Sequence, residues 1–263
     1  MKQHHITRDG VTLSVRESGP ANGEAVVLLH ALGLDGTIWE DVIARLPDGL
    51  RIIRPDMRGH GQSDVPPPPY SMGALVSDAE AVCDALNVRD AVIVGLSIGG
   101  LIAQGLAVKR LDLVRALVLS NTAAKIGRPE IWQARADAVQ RGGIGAIADD
   151  TVARWFGPRG RLEQMAAARA RLMRCDPVGY AGCSAAIGGT DFWTPTSGLR
   201  LPCLGIAGAE DGSTPPDLVR ETTDLIPGSR FALMRRVGHV PLLQDAQGYA
   251  ALITQFLSEI AHG

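Results

Sequence analysis

The sequence has few of the features that would place it outside the ordinary globular proteins. Its 263 residues contain no apolar run long enough to span a bilayer, and the N-terminal MKQHHI lacks the apolar stretch of a signal peptide. The formal net charge is only −2, so no excess of positive charge points to nucleic acid or to an anionic membrane surface. We therefore expect a cytoplasmic protein that binds neither nucleic acid nor membrane.

Cysteine is scarce as well. Cys83, Cys175, Cys183 and Cys203 include no Cys-x-x-Cys pair, and no histidine lies at zinc-ligand spacing beside them. We expect reduced, mostly buried thiols and no metal or other cofactor. Hydrophobic residues, in contrast, make up 46% of the chain and charged residues 21%, the proportions of a globular protein with a sizeable core.

Short β-rich runs alternate with helical patterns through most of the chain. Continuous apolar runs, typical of strands covered on both faces, lie for example at residues 25–29, 91–94 and 203–207. Helical spacing of apolar residues occurs at residues 72–86, 99–108 and 248–260. This alternation predicts an α/β fold with a mostly parallel central sheet flanked by helices, and the residues before 29 are expected to pair antiparallel at one edge.

The alternation is interrupted between residues 122 and 198, where helical patterns such as 131–139 and 161–174 occur without a convincing strand. We interpret residues 122–198 as a helical cap inserted between two strands of a core that comprises residues 1–121 and 199–263. A cap in this position would lie over the ends of the strands, where open α/β sheets hold their sites.

A Gly-x-Ser-x-Gly motif, Gly95-Leu96-Ser97-Ile98-Gly99, follows a buried strand pattern and opens a helical one. This is the context of the nucleophile elbow, a sharp turn that needs small residues on both sides of the serine. The hydroxyl would lie at a helix N-terminus, where the dipole favours developing negative charge. The motif predicts that Ser97 is a catalytic nucleophile; the alternative is that Ser97 only caps the helix.

A serine nucleophile needs a base, and in this topology an acid and then a histidine follow the serine along the chain. His239 and the terminal His262 are the histidines that follow Ser97, and His239 lies in a loop just after the last strand pattern. We therefore predict that His239 is the base. Asp211, in the loop after the preceding strand, is predicted to orient His239, with Glu210 as the alternative acid.

Two backbone N–H groups should stabilise the oxyanion formed in such a reaction. We expect one from Ile98, directly after the nucleophile, and one from Leu32 in the loop 30–33 that follows an early strand. His30 would orient this loop. A polar turn after the next strand contains Asp56 and Arg58 but lacks the lysine and spacing of a P-loop. We interpret it as a structural loop in which Asp56 and Arg58 are paired internally.

Together these motifs resemble the α/β-hydrolase superfamily. The resemblance rests on the elbow, the Asp-x-Arg-Gly-x-Gly-x-Ser turn at residues 56–63, and the order of Asp211 and His239, and it extends from about residue 26 to the end of the chain. Five segments are similar to the 3-oxoadipate enol-lactonase family: residues 30–33, 120–127, 132–135, 154–156 and 179–183. One departure is Ala31, where many members of the superfamily have glycine.

The resemblance implies a small anionic lactone as substrate, namely a five-membered enol-lactone with an acetate arm. Ser97 would open the ring to an acyl-enzyme, and His239 would then activate water to release 3-oxoadipate, without a cofactor. This reaction belongs to the catabolism of aromatic compounds through the β-ketoadipate pathway.

The acetate arm of such a substrate needs a cationic or hydrogen-bonding partner. Between residues 122 and 198, Lys125 and nine arginines outnumber seven acidic residues, whereas the whole chain has a net charge of −2. A positive cap would favour an anionic substrate, although an arginine-rich segment can equally be a solvated surface. We expect Arg135 to bind the carboxylate and Trp132, one helical turn earlier, to form a wall of the pocket.

Two other functions agree with the same sequence. The chain could be another cap-bearing hydrolase, such as a carboxylesterase or a carbon–carbon bond hydrolase, because these share the Ser-His-Asp arrangement. It could also be a ligand receptor without turnover, because a hydrolase fold alone does not establish catalysis. The sequence leaves the oligomeric state open, and a homo-oligomer is compatible with it.

Overall fold

The computed structural model of the chain describes residues 1–261 and is built around a central β-sheet. Its strands are β1 (Lys2–Arg8), β2 (Val11–Ser18), β3 (Glu24–Leu29), β4 (Leu50–Pro55), β5 (Ala91–Leu96), β6 (Val114–Ser120), β7 (Cys203–Gly208) and β8 (Arg230–Met234). They lie side by side in the order β1-β2-β4-β3-β5-β6-β7-β8.

The sheet is mostly parallel, as the sequence predicted. All pairings among strands β3 to β8 are parallel, and Val26 of β3, for example, lies opposite Val92 of β5. Strand β2 is antiparallel to β1 and to β4, so an antiparallel edge forms as predicted, but the prediction was wrong for β3, which pairs parallel inside the sheet. Every residue of β5 and β7 is buried, because helices cover both faces of the sheet and such strands favour continuous apolar sequence.

The helices of the core connect and flank these strands. They are α1 (Glu40–Ile43), α2 (Met72–Ala85), α3 (Ile98–Lys109), α9 (Pro216–Asp224), α10 (Pro241–Gln244) and α11 (Ala246–Ile260), and a 3-10 helix precedes α1 at Gly36–Trp39. Helix α3 packs on β5 and β6, and α9 packs on β7. The helical patterns predicted at 72–86, 99–108 and 248–260 correspond to α2, α3 and α11.

The secondary-structure elements between β6 and β7 are all helices. They are α4 (Pro129–Gly142), α5 (Gly145–Phe156), α6 (Leu162–Leu172), α7 (Pro177–Gly188) and α8 (Trp193–Ser197), with a 3-10 helix at Gly157–Arg159. Helices α4 and α7 pack closely on each other, and α5 contacts α4 and α6. This arrangement is compatible with a cap at 122–198, whose domain boundaries stay a prediction.

The cysteines follow the expectation from their spacing. Cys83, Cys175, Cys183 and Cys203 are buried and free of disulfide bonds. Burial raises the pKa of the Cys83, Cys175 and Cys203 thiols to about 12, so they are protonated at neutral pH. No helix within residues 1–261 is both long enough and apolar enough to cross a membrane.

Candidate active site

Ser97 occupies the sharp turn between β5 and α3. Its φ of 57° lies in the left-handed region, which is strained for a residue with a side chain. A Cβ added to Gly95 would lie 2.3 Å from the carbonyl oxygen of Gly99, and one added to Gly99 would lie 2.3 Å from that of Leu29. The glycines of the motif are therefore required for the turn. Ser97 is the N-cap residue of α3, but its side chain makes no capping hydrogen bond to this helix.

His239 and Asp211 form a buried pair at the ends of the two last strands. His239 Nδ1 lies 2.8 Å from Asp211 Oδ2, and both side chains are almost fully buried. Burial alone would raise the pKa of Asp211, but the interaction with the His239 ring and several hydrogen bonds outweigh this effect and lower the pKa. The alternative acid, Glu210, instead forms an ion pair with Arg159. His262 lies outside the described residues.

Two further side chains, which the sequence analysis did not identify, hold this pair in place. Asn121 Nδ2 donates to Asp211 Oδ2 at 2.8 Å and to the carbonyl oxygen of Gly238 at 3.1 Å. Thr214 Oγ1 donates to Asp211 Oδ2 at 2.8 Å. The signal that the sequence offered for Asn121 was its place at the end of strand β6. Its φ of 46° lies in the left-handed region, which asparagine tolerates better than most residues.

Ser97 and His239 line the same cavity, which has a volume of about 260 Å³. Since Nδ1 of His239 is bonded to Asp211, the ring nitrogen that can act as a base is Nε2. Leu32, Trp132 and Arg135 line this cavity too, so the structure brings the predicted nucleophile, base and substrate-binding residues together. Among the described residues, no cluster of three potential metal ligands occurs.

His30, in its neutral form, holds the loop after β3. His30 Nε2 accepts from the N–H of Met57 at 3.0 Å, and Nδ1 donates to the carbonyl oxygen of Ala31 at 2.9 Å. His30 therefore orients this loop, as the sequence indicated. Burial lowers its pKa, consistent with a ring that accepts at one nitrogen and donates at the other.

The two predicted oxyanion donors lie at positions where backbone N–H groups lack ordinary partners. Ile98 is the first residue of α3, and the first N–H groups of a helix have no acceptor within it. Leu32 is at the second position of a turn closed by the Leu34 N–H and the Ala31 carbonyl oxygen at 3.2 Å, so its own N–H does not close the turn. Leu32 also lines the cavity.

The predicted internal pairing of Asp56 with Arg58 is wrong. Arg58 forms a bidentate pair with Asp78, with bonds of 2.6 and 2.7 Å, and Asp56 accepts from Arg16 at 3.0 Å. The prediction failed because both partners lie in other elements, β2 and α2, and sequence proximity gave no information about them. Asp56 also accepts from the N–H of Gly36, so the turn is structural, as predicted.

The helices between β6 and β7 contribute the cationic part of the cavity. Arg135 Nε donates to the hydroxyl of Tyr180 at 2.7 Å, and its guanidinium also bonds to Thr151. Trp132 Nε1 donates to the carbonyl oxygen of Ile126 at 2.5 Å, which fixes the indole as part of the wall. Arg154 lines the cavity as well, although the sequence analysis did not single it out.

The fold and this arrangement define the class of the protein. A family model described as the alpha/beta hydrolase fold matches residues 24–246. The chain belongs to this family.

Among its relatives is 3-oxoadipate enol-lactonase 2 of Acinetobacter baylyi, 34% identical over 80% of this chain and 79% of that protein. The structure is similar to the enol-lactonase from Burkholderia xenovorans LB400, with a TM-score of 0.93 and 32% identity over 97% of this chain and 100% of the other. A thermophilic esterase from Thermogutta terrifontis with malate bound has a TM-score of 0.92 and 28% identity, over 99% of both chains. With this fold and these relatives, the chain is an ester hydrolase.

Proposed function

We propose that this protein opens the lactone ring of 3-oxoadipate enol-lactone to give 3-oxoadipate. The observation that carries the proposal is the convergence, in one cavity, of Ser97 at the elbow and His239 bonded to Asp211, beside an arginine that has no carboxylate partner among residues 1–261. The enol-lactonase names of the relatives from Acinetobacter baylyi and Burkholderia xenovorans support the choice of substrate.

In the proposed mechanism, Ser97 Oγ attacks the lactone carbonyl while His239 Nε2 takes the hydroxyl proton. The negative charge that develops on the carbonyl oxygen is stabilised by the N–H groups of Leu32 and Ile98. Collapse of this intermediate breaks the ring C–O bond, and the departing enolate oxygen receives the proton from His239. The enol tautomerises to the ketone while the carboxyl carbon stays bonded to Ser97 as an ester.

Water completes the cycle. His239 removes a proton from a water molecule, whose oxygen attacks the ester carbonyl, and the proton then passes to the departing Ser97 Oγ. This step releases the second carboxylate of 3-oxoadipate and regenerates the hydroxyl. Asp211 keeps the Nδ1–H of His239 oriented and stabilises the imidazolium in both halves of the reaction.

Arg135 is proposed to bind the carboxylate of the acetate arm. Its guanidinium is held by the neutral hydroxyls of Tyr180 and Thr151, so no hydrogen-bonded carboxylate within the described part of the chain neutralises its charge, and further N–H groups can donate to a ligand. Trp132, on the same helix, is proposed to be an apolar wall beside this arm.

The proposal is tested by a steady-state assay with the enol-lactone made in situ from its muconolactone precursor, followed by loss of its absorbance. We expect kcat/KM for the lactone to exceed that for p-nitrophenyl acetate by at least about a hundredfold, and Ser97→Ala to remove at least about 10³-fold of the lactonase rate while the protein stays folded. Equal efficiency with both substrates would leave a general esterase, which the similarity to the Thermogutta terrifontis esterase would then favour. Full lactonase activity in Ser97→Ala would refute the mechanism.

A further inference from the structure

Two arginines line the cavity, and neither forms an ion pair within the part of the chain that the structure describes. Arg135 bonds to the hydroxyls of Tyr180 and Thr151, both of them neutral. Arg154 remains accessible to solvent and has neither an ion pair nor a side-chain hydrogen bond to residues 1–261. The described residues that line the cavity include no aspartate or glutamate. The lining of the cavity therefore contains two positively charged side chains and no carboxylate.

The surroundings of Arg154 make an anion a favourable ligand. Burial lowers the pKa of its guanidinium, and the nearby positive charge of Arg135 lowers it further, while Tyr180 and Asp150 act in the opposite direction without cancelling the shift. An arginine stays protonated at neutral pH even so, which means that the repulsion between the two side chains persists. A carboxylate in the cavity would offset both the lost hydration and this repulsion, and its geometry matches the planar guanidinium.

The main chain around Arg154 fixes its position relative to the proposed reacting groups. Its carbonyl oxygen accepts from the N–H of Gly212, next to Asp211, at 3.2 Å. The carbonyl oxygen of the following residue, Trp155, accepts from the N–H of His239 at 2.7 Å. Arg154 thus belongs to a segment bonded directly to the loops of Asp211 and His239, and it lines the same cavity as Ser97.

We propose that Arg154 is a specificity-determining residue that binds the substrate carboxylate jointly with Arg135. The pair gives the site a preference for lactones and esters with a free carboxylate over neutral ones of similar size. Small dicarboxylates, which resemble the ring-opened product, then bind in the same cavity as competitive inhibitors. The inference rests on the proposed function, because it takes Ser97 and His239 as the reacting centre.

The test compares two esters with the same leaving group: p-nitrophenyl acetate, which is neutral, and mono-p-nitrophenyl glutarate, which has a free carboxylate. Arg154→Met removes the charge and keeps a long side chain. Arg161→Met is the matched control, because it removes a nearby arginine that lies outside the cavity, at the N-cap of α6. We expect Arg154→Met to lower kcat/KM for the glutarate ester by about ten- to a hundredfold, and for the acetate ester by less than about threefold.

Two further readouts follow from the same proposal. The inhibition constant of glutarate, measured with the neutral ester as substrate, should rise in Arg154→Met by a factor similar to the loss in kcat/KM. Arg154→Lys should restore part of the preference, since it returns the charge without the planar geometry. Arg161→Met should leave both quantities unchanged.

The outcomes separate this inference from the proposed function. An equal loss with both esters would show that Arg154 acts only through the fold, and unchanged kinetics would show that it does not contact the carboxylate; each result overturns the inference. If Arg154→Met does not fold, as judged by circular dichroism, Arg154→Gln and Arg154→Lys give the same comparison. Hydrolysis that survives Ser97→Ala would refute the proposed function instead, whatever the effect of Arg154.

Discussion

At the residue scale, the carboxylate of Asp211 is the most densely hydrogen-bonded group of the site. Its Oδ1 accepts from the N–H groups of Ser213 and Thr214, at 2.7 and 2.9 Å. Its Oδ2 accepts from Asn121, from the Thr214 hydroxyl and from His239, all at 2.8 Å. These donors replace water, so a buried carboxylate can remain ionised next to the imidazole.

Asn121 offers a test of this arrangement, because aspartate has the same shape. At neutral pH, Asn121→Asp places a second carboxylate against Asp211 Oδ2, where the amide now donates at 2.8 Å. We expect kcat to fall by about tenfold or more with little change in KM, since a hydrogen bond to a charged group is worth about 1.5–3 kcal/mol. The deficit relative to the unsubstituted enzyme should shrink at lower pH, where the new carboxyl becomes protonated and can donate.

Asn121→Ala is the control for that pH dependence. It removes the donor without adding a titrating group, so its deficit in kcat should be the same at every pH in the range where the enzyme is folded. Deficits with identical pH profiles in the two variants would contradict the role given to Asn121 in stabilising the ionised Asp211.

Single residues also show what the sequence could and could not predict about the site. Ser97 and His239 were predictable because a motif, a chain order and a strand–helix context each point to them. Asn121 and Arg154 were not, because their roles depend on neighbours brought close by tertiary packing. Asn121 bonds to Asp211 and Gly238, which lie 90 and 117 positions along the chain.

At the scale of elements, the carboxyl end of helix α5 is bonded to the loops that follow β7 and β8. The carbonyl oxygen of Trp155 accepts from the N–H of His239 at 2.7 Å. Gln244, in α10, accepts from the N–H of Gly238 at 2.7 Å and holds the same loop from its other side. The histidine loop therefore lies between a helix of the predicted cap and a helix of the core.

Gly238 is the position where these elements come closest. A Cβ added there would lie 2.1 Å from the carbonyl oxygen of Trp155, so Gly238→Ala must displace either α5 or the histidine loop. We expect a loss of about 1–3 kcal/mol in the free energy of unfolding, measured by urea denaturation, and a larger fractional loss in kcat than in 1/KM. Gly73→Ala is the matched control, because its new Cβ would meet no atom closer than 3.8 Å and a helix favours alanine. Unchanged stability and kcat in Gly238→Ala would disprove the tight contact.

The elements themselves were largely predictable from apolar periodicity. The ends of α2, α3 and α11 lie within about two residues of the predicted ones, as frayed helix ends allow. Strand β1 was not predicted, because it is an edge strand with alternately exposed and half-buried residues such as Lys2, His4 and Thr7. Its sequence is polar, and its pairing with β2 rather than its own composition makes it a strand.

At the scale of the whole molecule, the loop carrying Leu32 is coupled to the stability of the fold through a second buried histidine. His60 Nε2 accepts from the N–H of Gly33 at 3.0 Å, and its Nδ1 donates to the carbonyl oxygen of Arg58 at 3.2 Å. Its ring centroid lies 5.5 Å from that of His30. Both nitrogens of His60 are therefore committed to the neutral form.

Acid should consequently destabilise the protein before its carboxylates titrate. Burial and then the His30 ring lower the pKa of His60 to about 3, against 6.5 for a free histidine, although Asp35 opposes the shift. The other titratable group facing the ring is the Cys183 thiol, whose Sγ lies 3.9 Å from His60 Nδ1. Above pH 6.5 the neutral ring is present in both states and the stabilisation is complete. As the pH falls from there towards about 3, the unfolded chain binds a proton that the folded chain does not, which removes about 1.4 kcal/mol per pH unit. The free energy of unfolding, measured by urea denaturation at about pH 7.5 and about pH 5, should therefore differ by about 2 kcal/mol from this group alone.

His60→Gln, which keeps an acceptor for Gly33 but does not titrate, should flatten this pH dependence of stability, whereas His5→Gln, at an exposed position, should not. An unchanged pH slope in His60→Gln would show that His60 is not the group that limits stability in acid.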